Sequence, residues 1–120
     1  MKGTIKKGLG EGRYWISKLN PIFIKKNNME LFPGTLNIQV EKDYKIEDKY
    51  QTISGIEYGG TEEVLIQECK LFGEKAYIVR PKRNNEPRGD HPLNIIEIIS
   101  NINFREKYKL KDNDIVEIDI

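Results

Sequence analysis

Residues Thr35–Val40 alternate strictly, with Leu36, Ile38 and Val40 on one side and Thr35, Asn37 and Gln39 on the other. A repeat of two residues is the period of a half-buried strand and fits no helix. The same alternation returns near the C-terminus, where Val116, Ile118 and Ile120 are interleaved with Glu117 and Asp119. Shorter runs at Thr4-Ile5, Tyr14-Trp15-Ile16, Tyr50–Ile56, Glu63–Leu71, Ala76–Arg80 and Ile95–Ser100 also read as strands, with Gly59-Gly60 as a hairpin turn. Roughly six or seven strands of this length protect their edges best by closing on themselves. The expectation is therefore a mainly β chain, a small barrel with one or two short helices. One helix should start at Asn20-Pro21, with Asn as cap and Pro preset for the first turn, and run to about Asn27. A helical turn or two is expected within Asn103–Lys109, followed by a tight turn at Lys111–Asp114.

At 120 residues the chain fits one domain with one core, spanning 1–120. Twenty Lys and Arg stand against 19 Asp and Glu, a net charge of +1, so no global field draws the protein to nucleic acid or to a membrane. The single cysteine, Cys69, excludes an intrachain disulfide and a cysteine-based metal site. Apolar runs are too short to span a bilayer, and the N-terminus carries no signal-peptide core, so a cytoplasmic monomer is expected.

Four segments hold residue types suited to chemistry. Gly8-Leu9-Gly10-Glu11-Gly12-Arg13-Tyr14 has glycines at alternate positions, whose N–H groups can form an anion-binding nest, with Arg13 as a charged fork beside it. It is neither a Walker loop nor a dinucleotide fingerprint, since no Gly-Lys-Ser/Thr and no long helix is expected to follow. From spacing alone it remains either a phosphate loop or a plain hairpin. Thr35 and Asn37, two apart on one strand face, could offer oxygens to a hard cation such as magnesium, or could simply face solvent. Glu97 interrupts Ile95-Ile96-Glu97-Ile98-Ile99; burial there would raise its pKa and suit it to accept a proton, unless a Lys or Arg pairs with it. Pro81 to Pro92 reads as a surface flap with Lys82, Arg83 and Arg88, and its His91, beside Asp90, reads as a surface residue.

Taken in order, Gly8–Tyr14, Pro33-Gly34-Thr35-Leu36-Asn37, Ile95–Ile99, Phe104-Arg105-Glu106-Lys107-Tyr108 and Leu110-Lys111-Asp112-Asn113-Asp114 resemble the CTP-dependent riboflavin kinases of archaea. The resemblance covers nearly the whole chain. It implies a six-stranded cradle-loop (RIFT-type) β-barrel that transfers a phosphoryl group from CTP to riboflavin, giving FMN and CDP. It implies nucleotide contacts from Gly8, Leu9, Gly10, Glu11, Gly12, Arg13 and Tyr14 and, from the other side, Ile102, Asn103, Phe104 and Arg105. Thr35 and Asn37 would ligate magnesium (Mg2+), and Glu97 would contact the flavin and activate the ribityl hydroxyl. The family places a flavin-contacting Thr shortly before that glutamate, whereas residues 81–96 hold no Thr or Ser here. It also commonly has Gly where Asn113 stands, a residue that tolerates the left-handed conformation. Two other functions are compatible with such a barrel: a flavin- or nucleotide-binding module without turnover, and a DNA-binding barrel, which would require a contiguous basic face.

Overall fold

The computed structural model describes residues 1–8, 12–46, 51–60, 62–85 and 92–120. Its strands are β1 (Lys2–Lys6), β2 (Leu36–Val40), β3 (Gln51–Ile53), β4 (Val64–Leu71), β5 (Glu74–Pro81), β6 (Ile95–Ile99) and β7 (Ile115–Asp119). The helices are α1 (Gly12–Asn27), α2 (Gly55–Tyr58) and α3 (Phe104–Lys107), with a 3-10 turn at Lys82–Asn85. All strand pairings are antiparallel, in the order β3-β4-β5-β6-β2-β1-β7. The far end of β4 also pairs with β7, through Lys70↔Asp119 and Leu71↔Ile118. That contact closes the sheet into a ring of strands, leaving β3 as a short flank on the near end of β4.

Alternation sorts the apolar residues into two cores. Ile5, Leu36, Ile38, Leu65, Ile78, Ile96 and Ile118 point into the ring. Val64, Ile66, Tyr77, Val79 and Ile99, on the opposite face of the same strands, pack against Ile16, Leu19 and Phe23 of α1. Strands covered on both faces lose the apolar–polar alternation, which is why Ile95–Ile99 and Ala76–Val79 read as continuous apolar runs.

Helix α1 corrects three expectations, the first being that no long helix follows the glycine segment, since α1 starts at Gly12 and runs for 16 residues. Tyr14-Trp15-Ile16 is helical, not a strand, and the helix begins eight residues before the expected start at Asn20-Pro21. The buried residues Ile16, Leu19 and Phe23 recur at helical spacing, and this stripe outweighs the local β preference of the aromatic pair. Asn20 lies in mid-helix, where its side-chain oxygen accepts from the Leu31 N–H at 2.8 Å and does no capping. Pro21 is inside the helix, which ordinarily costs ~3 kcal/mol. Burying each large apolar side chain of the stripe contributes ~1.5–3 kcal/mol, enough in sum to hold the helix together.

The expected strand Tyr50–Ile56 is shorter, ending at Ile53; Gly55–Tyr58 forms α2, so the link to β4 is more than a glycine hairpin. Residues 47–50 and 61 lie outside the described residues. In β7, Val116 and Ile118 are buried as the alternation requires, while Ile120 lies beyond the strand and is 60% exposed. Asn113 takes the left-handed conformation at φ 76°. Among the described residues, no helix is long and apolar enough to cross a membrane.

Candidate functional site

The site is built around one row across the sheet. Antiparallel register sets Lys6 opposite Asn37, Asn37 opposite Glu97 and Glu97 opposite Val79, so β1, β2, β6 and β5 each contribute one residue. Side chains in direct cross-strand register share a face and stand about 5 Å apart at Cβ. Glu97 and Asn37 therefore project together on the α1 side of the sheet. Glu97 is half-buried, and Asn37 is buried, so of the two alternatives left open for it the solvent-facing one does not hold.

Both ends of the glycine segment press on this row. A Cβ at Gly8 would come within 2.4 Å of Asn37 Nδ2, and one at Gly12 within 3.0 Å of Thr35 Oγ1. Only glycine lets the backbone approach so closely, so here the glycines serve close contact with β2. Leu9, Gly10 and Glu11 lie outside the described residues, as do 86–91 with Arg88 and His91. Arg13 and Tyr14 are exposed on the first turn of α1, where Lys18 Nζ lies 4.8 Å from the centre of the Tyr14 ring.

Two cavities flank the row. One, of about 240 Å³, is lined by Gly12, Trp15, Arg80, Asn84, Ile95 and Glu97. At its rim Arg83 Nε meets Glu62 at 2.8 Å. The other, of about 180 Å³, lies among Thr35, Ile102, Asn103, Phe104 and Arg105. The two stretches expected to hold one nucleotide therefore meet at Thr35, which touches Gly12 on one side and lines the second cavity on the other. Within that cavity the side chains have further duties. Phe104 is buried in the ring core, Ile102 packs on it, and Asn103 caps α3 by accepting from the Glu106 N–H at 3.2 Å. Arg105 donates to Lys6 O at 3.1 Å and pairs with Asp112 at 2.7 Å, tying this stretch to the end of β1.

Arg80, Trp15 and Asn84 were not among the residues that sequence reasoning singled out. Arg80 is 5% exposed, and its guanidinium donates to the carbonyls of Tyr44, Leu93 and Ile95. It thereby fixes the chain entering β6, two residues before Glu97. Burial pushes the Arg80 pKa below its ordinary value, and the negative charge of Glu97 works against that shift. Arg80 thus brings a positive charge near Glu97, while the donors described above go to main-chain carbonyls. Its place at the end of the apolar run Ala76–Val79 does not by itself distinguish it from an ordinary charged strand end. For Trp15 the signal was its place one residue before the helical stripe.

Among the described residues, no group of three or more His, Cys, Asp or Glu could hold a metal ion. A cation at Thr35 and Asn37 would have neutral oxygen donors, the kind of set that binds a metal arriving with phosphates.

A family model described as "Domain of unknown function DUF120", with the short name CTP-dep_RFKase, matches residues 5–120. A riboflavin kinase of Staphylothermus marinus is 38% identical over 120 residues, covering 98% of this chain and 88% of the relative. One from Saccharolobus solfataricus is 35% identical, covering 100% of this chain and 73% of the relative. One from Archaeoglobus fulgidus is 33% identical; it matches 100% of this chain, which spans only 54% of that longer protein.

Proposed function

Since the chain belongs to the archaeal CTP-dependent riboflavin kinase family, we propose that it transfers the terminal phosphoryl group of CTP to the ribityl 5′-hydroxyl of riboflavin. The products are FMN and CDP. In this reading the ring of strands is the six-stranded cradle-loop barrel of that family, acting as a cytoplasmic monomer on small molecules, without nucleic acid or membrane. The observation that carries it is the convergence of Gly8, Gly12, Thr35, Asn37 and Glu97 on one row between two cavities.

The cavity beside Glu97 takes riboflavin, and the one between Thr35 and Arg105 takes the nucleotide. Phosphoryl transfer needs little covalent help from a protein; positioning and charge neutralisation dominate. Backbone N–H groups from Gly8 to Tyr14 hold the phosphates, and Arg13, exposed on the first helical turn, steadies the departing diphosphate. The oxygens of Thr35 and Asn37 would hold a magnesium ion. Asn37 lies against Gly8 and Thr35 against Gly12, so both stand beside the segment assigned to the phosphates. When bound, Mg2+ supplies positive charge to the terminal phosphates. Glu97 orients the 5′-hydroxyl and accepts its proton as the new O–P bond forms. The bond from the terminal phosphorus to the bridging oxygen breaks, and CDP leaves with those electrons.

The test is FMN formation from riboflavin with CTP or ATP in parallel, with magnesium or with EDTA. FMN with CTP and magnesium, and little with ATP or EDTA, is the expected result. Asn37→Ala should lower turnover on the order of a hundredfold while the circular dichroism spectrum is unchanged. Product with ATP alone would overturn the donor. Folded protein that makes no FMN with either nucleotide would leave a binding module.

A further inference from the structure

The cavity beside Glu97 contains a polar group that the proposed reaction does not use. Asn84, in the 3-10 turn Lys82–Asn85, is 9% exposed and lines that cavity. Its polar atoms are open to that cavity and not sealed from it, since among the described residues the one buried side-chain polar atom left without a partner is Gln67 Nε2. An amide that reaches a cavity can exchange water for the hydrogen-bonding groups of a ligand. Asn84 is therefore a group available to a ligand seated there.

Its neighbours narrow the ligand class. Trp15, Val79 and Ile95 give the cavity aromatic and aliphatic surface, suited to a flat ring system. The other polar groups are engaged or one-sided. Arg80 holds main-chain carbonyls, Arg83 is paired with Glu62, and an ionised Glu97 can only accept. Asn84 alone presents a neutral donor and acceptor side by side. That pattern matches a ring N–H flanked by a carbonyl, an imide edge, with two parallel hydrogen bonds. The turn carrying it is held on both sides: the Lys82 N–H donates to Glu63 O at 2.8 Å, and Lys82 Nζ meets the Glu63 carboxylate at 3.3 Å. The amide is thus set in place before any ligand arrives.

We propose that Asn84 is a specificity-determining residue that hydrogen-bonds the imide edge of the substrate's flavin ring, its oxygen accepting from N3–H and its NH2 donating to an adjacent carbonyl. The assignment rests on the riboflavin reading above and adds what selects the ring. It predicts that flavins blocked at N3 are discriminated against through this one side chain.

Riboflavin and N3-methylriboflavin, titrated by flavin fluorescence into the full chain and into Asn84→Ala, test this. The unaltered protein should prefer riboflavin by about tenfold, the loss of one good hydrogen-bonded contact. Asn84→Ala should weaken riboflavin about tenfold, leave N3-methylriboflavin nearly unchanged and abolish the preference, with CTP affinity unaffected. Because each preference is a ratio within one protein, partial unfolding of the variant cancels. An undiminished preference in Asn84→Ala overturns the assignment, as does an equal loss for both flavins. Failure of the unaltered protein to bind riboflavin at all overturns the proposed function itself, and the role of Asn84 with it.

Discussion

Cys69 sits inside the ring, 3% exposed, and burial pushes its thiol up to about 12 from an ordinary 9.0. The neutral thiol is the form the fold holds, so the folded protein keeps its proton at pH values where the unfolded chain has lost it. Stability from this group is complete below pH 9.0 and declines as pH rises from 9.0 toward 12. The expected outcome is that a thiol reagent at pH 8 leaves the native protein unlabelled and labels it once urea has unfolded it. Rapid labelling of folded protein would show that the ring opens locally around β4. Residues of the candidate site differ in how far the sequence exposed them. Glu97 was visible as a charge inside an isoleucine run, and Asn37 as a polar residue on a strand. Arg80 and Asn84 were not, because their importance depends on which carbonyls and cavity walls surround them in space, and no local pattern encodes that.

Helix α1 puts Gly12 against Thr35 at one end and buries Phe23 against Tyr77 at the other, ring centres 4.9 Å apart. Pro21 is exposed in its interior and cannot donate the backbone hydrogen bond of that position. Pro21→Ala should therefore stabilise the protein by ~1–3 kcal/mol in urea unfolding, without touching either cavity. Unchanged or lower stability would mean that the helix needs the bend that proline imposes. The same proline explains why α1 was misread. Asn20-Pro21 looks like a helix start, and Tyr14-Trp15-Ile16 looks like a strand. Only the spacing Ile16, Leu19, Phe23 runs through both and reveals one helix. Helix α2 had a clearer local mark: the Ser54 N–H donates to the Glu57 carboxylate at 2.8 Å, the reciprocal half of a capping box. That carboxyl is held below its usual range first by its hydrogen bond to Lys26 of α1, so the tie between the two helices is present above the ordinary glutamate range and lost in acid.

At the scale of the molecule, many short strands with period-two patterning made closure legible, and the structure has it. Which strands meet was not legible, because β4 pairs with β7 through residues nearly fifty positions apart, and nothing near Leu71 identifies Ile118 as its partner. That seam is also the shortest in the ring, and Ile118 is fully buried behind it. Ile118→Ala should cost ~2–5 kcal/mol. Amide exchange should rise first in β7 and the far end of β4; loss spread evenly over all strands would contradict a weak seam.

Strand β1 lies between β2 and β7. During synthesis its second neighbour is the last of the described strands to leave the ribosome. Until then the nascent chain carries an unfinished sheet, with β1 offering an open edge to any other strand of the same kind. Two chains on adjacent ribosomes could exchange their final strands before either sheet closes. The completed ring removes that opportunity by leaving β1 no free side.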